Sequence, residues 1–157
     1  MILTTHFVTG AAVASLTDRP VMMIIASLAL HFLLDMLPHW EYIAEEFNSV
    51  GELKKYLPKL TVDILLGPLL VFTLFCYFVG FDSGKIFWLF LGGFFGIMPD
   101  GLTFLRAIFS QNKVLGRLYH FHCWIQPRKA LNWQSGLLTQ VIIIAVALWL
   151  VISNPFL

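Results

Sequence analysis

The sequence predicts an all-α, polytopic membrane helical bundle: about five apolar helices with short interfacial helices beside them, in a single domain over residues 1–157. Three observations predict it. Hydrophobic residues make up 59% of the chain and charged residues only 12%, where a soluble domain has about 45–50% and about 25%. Mean hydropathy is +0.82. The apolar residues also fall in runs separated by short polar turns, as expected of helices that satisfy their own backbone in lipid.

The first apolar segment, 3–16, follows Met1 with no basic stretch or cleavage site ahead of it, and reads as part of the mature protein. "TDRP" (17–20) makes a turn, with Pro20 suited to a first helical position. The second segment runs over 21–37. A polar stretch follows, "EYIAEEFNSVGELKKYLPK", expected as a surface helix and loop with Glu41, Glu45, Glu46 and Glu52 on a solvated face. The third segment is 60–78, and "VGFDSGK" is a tight connection. The fourth, 86–98, is expected to stop at "PDG" (99–101), because proline removes a helical donor. A mixed region, 100–131, interleaves arginines with aromatics, and the fifth segment, 137–152, is the cleanest. A span needs about 20 residues. Segments one and four reach that only if Thr4, His6 and Asp100 belong to their helices, and half-buried or re-entrant helices are the alternative for both.

Net charge is +1, so nothing points to nucleic acid as a partner. Cys76 and Cys123 form no CxxC and no disulfide framework. Basic residues set the topology. With five spans, Lys54, Lys55, Lys59, Arg106, Lys113, Arg117, Arg128 and Lys129 share one side, and only Arg19 and Lys85 lie on the other. The positive-inside rule then puts the N-terminus in the cytoplasm and the C-terminus outside. The expected location is a bacterial inner membrane, with membrane lipid as the partner.

That topology gathers the remaining polar residues. His6, His31, Asp35, His39, Asp63, Asp100, His120 and His122 all fall toward the cytoplasmic side, whereas Asp18 and Asp82 fall in the opposite turns. His31 and Asp35 are four apart and share a helix face, and Pro38 should end the helix before His39. Buried charge in a membrane costs about 2.5–3.5 kcal/mol per Asp on insertion scales, and a shared cation offsets it. Imidazole and carboxylate are the usual ligands of zinc and other first-row divalent ions. Plainer readings exist singly: His6 as a helix-end residue, Asp63 paired with Lys59, Asp100 as a helix cap, His31 and Asp35 as a hydrogen-bonded pair. Trp40, Trp88, Trp124 and Trp133 read as interface anchors.

"TTHFVTGAA", "LHFLLDMLPHW", "GFFGIMPDGL" and "YHFHCWIQ" resemble the small integral-membrane metal-dependent hydrolases of the YdjM-like kind, a family thought to be related to zinc-dependent phospholipase C and the zinc-dependent single-strand nucleases. The resemblance implies all-helical phosphoesterase chemistry around clustered zinc. His31 and Asp35 would be ligands, His39 would match the later His of the HxxxD motif, His6 an early ligand, and Asp100 a ligating Asp. Relatives carry adjacent histidines before "IQ", where this chain has Cys123 after His122. Of His120 and His122, the latter is the closer match.

The expected function is therefore a membrane-embedded hydrolase of a lipid-like or other amphiphilic phosphoester. One to three divalent ions, zinc first, would sit among His6, His31, Asp35, His39, Asp63, Asp100, His120 and His122, with Asp35, Asp63 and Asp100 as the catalytic carboxylates. A metal-activated water would be the nucleophile. Arg106, Arg117 and Arg128 would hold phosphate or lipid headgroups. The alternatives are an ion- or proton-transport subunit and a structural-metal scaffold built on the same cluster.

Overall fold

The computed structural model describes residues 1–40, 50–126 and 131–154, with the side chains at 50, 52 and 53 excepted. Six helices account for these residues: α1 Leu3–Ser15, α2 Pro20–Asp35, α3 Val50–Phe78, α4 Ser83–Ile108, α5 Lys113–Ile125 and α6 Trp133–Ser153. No strand occurs among them. Glu41, Glu45, Glu46, Arg128 and Lys129 lie outside the described residues.

Among the described residues three helices, rather than the expected five, are long and apolar enough to cross a membrane: Lys54–Phe78, Ser83–Ile108 and Trp133–Ser153. α2 is a shorter apolar helix. α1 has 13 residues, about 20 Å of rise against a hydrocarbon core of about 30 Å. It needs no lipid contact, because every residue in it except Val13 is buried. α2, α3, α4 and α6 pack around it.

Small residues bring α1 and α4 together. A Cβ on Gly10 would run into the Gly92 carbonyl, and one on Gly96 into the carbonyl of His6. The contacts pair His6 with Gly96 and Gly10 with Gly92. The indole N–H of Trp88 donates to the carbonyls of Ala14 and Thr17, both at 3.0 Å. α4 therefore runs antiparallel to α1, and Trp88 is a tie between the two helices. α6 runs parallel to α1: Ile2 meets Gln140 at one end, and Ser15 meets Leu150 at the other. α3 also runs parallel, with Asp63 beside Leu3 and Gly67 beside Phe7.

Several helix boundaries follow the sequence. Pro20 opens α2, Asp82 caps α4 through Gly84 and Lys85, and Gly80 turns the chain at φ 107°. Two do not. α3 begins at Val50 and runs unbroken past Pro58, so the expected surface helix and third span are one helix. α4 continues through Pro99 to Ile108. One proline removes one backbone donor, which a helix packed on both sides can tolerate. As a result Asp100 is a mid-helix residue rather than a turn residue.

The N-terminus of α1 is buried, so its unpaired amides need acceptors from elsewhere. Ile2 N donates to Gln140 Oε1 (2.9 Å). Leu3 N donates to Asp63 Oδ2 (2.8 Å), and Thr4 N and Thr4 Oγ1 donate to Asp63 Oδ1 (2.9 and 2.6 Å). Gln140 also donates to the Trp40 carbonyl at 2.8 Å, holding the chain after α2 against α6.

Candidate metal centre

Four helices deliver ionisable side chains to the end of the bundle where α1 begins. α2 supplies His31 and Asp35 one turn apart, and His31 Nε2 lies 3.3 Å from Asp35 Oδ2. α5 supplies His122, whose Nε2 lies 2.8 Å from Asp35 Oδ2. α1 supplies His6, whose Nε2 lies 3.0 Å from Asp35 Oδ1. α4 supplies Asp100, whose Oδ1 lies 3.6 Å from His122 Nε2 and 4.0 Å from His31 Nε2. The amino group of Met1 donates to Asp35 Oδ1 at 2.8 Å.

His31, Asp35, Asp100 and His122 each offer one ligand atom within 4.8 Å of the others. This is the donor set of a divalent-ion site: two imidazoles and two carboxylates. Its supporting contacts suit the role. The Gly96 carbonyl lies 2.8 Å from His31 Nδ1, so Nδ1 carries the proton and Nε2 turns a lone pair toward Asp35 and Asp100. Metal-ligating histidines are commonly oriented by such a bond. His31 Nε2 and Asp100 Oδ2 are both buried with no hydrogen-bond partner. Buried polar atoms rarely stay so, and a cation would satisfy both.

Burial is nearly complete. The side chains of His31 and Asp35 are 0% exposed, His122 5% and Asp100 15%, so Asp100 marks the side open to the surroundings. His122 lies on α5, outside the three long apolar helices. Burial disfavours its charged form, but the bond to Asp35 and the Asp100 carboxylate outweigh that and raise its pKa from the ordinary imidazole value.

The remaining sequence candidates take other positions. The His6 ring packs 4.1 Å from the His31 ring, at the edge of the group of four. His39 follows the end of α2, is buried, and donates from Nδ1 to the Leu37 carbonyl at 2.7 Å. Pro38 takes it off the helical register that joins His31 to Asp35, and it lies outside the group. Asp63 is the acceptor for the start of α1 and is also outside. His120 is exposed on the outer face of α5. Two helical residues are about 200° apart, so His120 and His122 cannot face the same site. Arg106 stacks its guanidinium 3.9 Å over the Tyr119 ring, a tie between α4 and the helix that carries His122, and Arg117 is exposed. Sequence reading missed Gly96 and Gln140. A glycine beside "HxxxD" carries no polar signal, and a lone glutamine in an apolar span carries only a weak one.

Comparison with family models, with curated proteins and with solved structures finds no match for this chain.

Proposed function

We propose that this protein is a membrane-embedded, metal-dependent hydrolase of a phosphoester, in keeping with the YdjM-like resemblance of its motifs. One observation carries the proposal: His31, Asp35, Asp100 and His122 converge within 4.8 Å, buried at one end of an apolar bundle. When bound, a divalent ion supplies Lewis acidity and an acidified water in such a site. The chain's own residues supply the rest. Gly96 fixes the His31 tautomer. Asp35 holds the imidazoles of His6 and His122 at hydrogen-bonding distance and His31 just beyond it. Asp100, the most open of the four, would complete the donor set from the side open to the surroundings.

Zinc is the first candidate ion, since a two-His, two-carboxylate set with one open side suits it. The lysines and arginines near the site support a cytoplasmic location for it, with the N-terminus on the same side. The test is elemental analysis of detergent-purified protein, with hydrolysis of bis(p-nitrophenyl) phosphate followed alongside. The proposal expects at least one bound transition metal per chain and turnover that a chelator abolishes. Asp35→Ala should lose both. Unchanged metal content in Asp35→Ala, or metal retained with no hydrolysis, overturns it.

A further inference from the structure

A groove of about 530 Å³ opens between α3 and α6, two of the three membrane-spanning candidates. Val62, Leu66 and Leu137 line its exposed walls, and the less exposed Ile2 and Trp40 also line it. The three wall residues are also exposed on the outer surface of the bundle, Val62 at 66%, so the groove is continuous with the face that meets lipid. On α3, its lining runs from Pro58 to Leu66, about 12 Å along the helix axis. That shape takes an alkyl chain.

Two charged residues belong to the otherwise apolar groove. Lys59 and Asp63 both line it. The Asp63 carboxylate is turned to the amides of Leu3 and Thr4 and to the Thr4 hydroxyl. Lys59 is exposed, a cation at the rim of an apolar slot. Such an arrangement favours an anionic amphiphile over a zwitterionic one. The groove shares no residue with the candidate metal group, but the start of the chain links the two. Ile2 lies in its floor, next to Met1, whose nitrogen touches Asp35. Asp63 caps α1 one turn before His6.

We propose that this groove binds the acyl chain of an anionic, phosphate-bearing membrane lipid, with Lys59 on its phosphate and the headgroup end beside the metal centre. Its role as the substrate subsite rests on the hydrolase reading; its role as a lipid site does not.

Native mass spectrometry of delipidated protein tests the binding, with phosphatidylglycerol and phosphatidylcholine of equal chain length added back. Wild type should retain phosphatidylglycerol at about five-fold lower concentration than phosphatidylcholine, the effect of one lysine near an anionic headgroup. Lys59→Gln should erase that preference. Val62→Trp, which fills the slot from its lipid-exposed wall, should retain neither lipid. Leu65→Trp, exposed on the same helix but outside the lining, should behave as wild type. Equal retention by Val62→Trp and Leu65→Trp, or a preference that survives Lys59→Gln, overturns the lipid site. The substrate role is read separately. The ratio of phospholipid to soluble-diester hydrolysis should fall about ten-fold in Val62→Trp, and an unchanged ratio overturns that role. Lipid retained in the expected pattern by a protein that hydrolyses neither compound leaves the lipid site standing and overturns the hydrolase reading.

Discussion

Replacing Asp63 separates the two uses a membrane protein has for a buried carboxylate. Asp63 is 7% exposed, and it accepts from Leu3 N, Thr4 N and Thr4 Oγ1 at 2.8, 2.9 and 2.6 Å. Asp63→Ala removes all three bonds and leaves the two amides buried at the start of a helix that has no other end to expose. Hydrogen bonds to a charged group contribute about 1.5–3 kcal/mol each, and a stranded buried donor costs about 1–3 kcal/mol. These terms overlap, so the summed loss is bounded near the top of the single-mutant range, about 3–5 kcal/mol. Asp63→Asn keeps one acceptor oxygen and turns an amide N–H₂ on one of the donors, and should lose about half as much. The assay is reversible unfolding in mixed micelles, with metal measured per folded chain in the same samples. Asp63→Ala should unfold far earlier yet carry the wild-type amount of metal. Wild-type stability with reduced metal would refute the capping role and return Asp63 to the ligand set.

Four further outcomes follow from the same geometry. Asp35→Asn should lower metal content as sharply as Asp35→Ala, because the amide cannot replace the anionic oxygen shared by His6 and His122; retained metal in elemental analysis would count against the site. His122→Ala should weaken metal binding at least about ten-fold by equilibrium titration, the low end of what losing even an outer partner of a metal site costs, whereas His120→Ala, on the outer face of α5, should leave it unchanged. Gly96→Ala should push α1 away from α4 at the His6 carbonyl and cost about 1–3 kcal/mol in unfolding experiments, as overpacking does; no change would mean the two helices are not held so closely. A reporter fused after α6 should read outside the cytoplasm if the N-terminus lies within it, since α1 and α6 run parallel.

Much of this was legible in the sequence, and the failures have physical causes. Pro20 and the connection "VGFDSGK" marked helix ends because turn chemistry acts locally, and the structure adds that Asp82 caps α4 and Gly80 makes the turn. The number of spans was not legible. Apart from His6, α1 carries apolar and small residues all round, and such a helix reads much the same whether lipid or protein surrounds it. The burial of α1 and its close contacts with α4 at Gly10 and Gly96 show that protein does. Pro99 looked like a stop, but a packed helix carries on past one missing bond. At the site, His31 and Asp35 were legible because their spacing fixes a shared face, while Asp100 and His122 came from the depth set by the expected topology and from the motif resemblance, and the structure brings all four together. His39 and His120 share that depth but not the direction, the first because Pro38 breaks the register and the second because it is half a turn from His122.

Depth alone therefore gathers two kinds of polar group at this end of the bundle, and their partners tell them apart. Asp63 and Gln140 face backbone N–H groups, which exist because α1 ends inside the protein. Their donors are permanent and fully matched, and nothing more is needed to satisfy them. His31 and Asp100 face other side chains and each keep a buried atom without a partner. The remaining nitrogen of His31 is tied to a backbone carbonyl, so its lone pair has one direction to point. A carboxylate that completes a helix end is satisfied by the fold itself, while an imidazole and a carboxylate held together with acceptors to spare can take up a cation. The Gly96 carbonyl that orients His31 belongs to the same glycine that lets α4 approach His6 of α1, so one residue serves both the helix contact and the site.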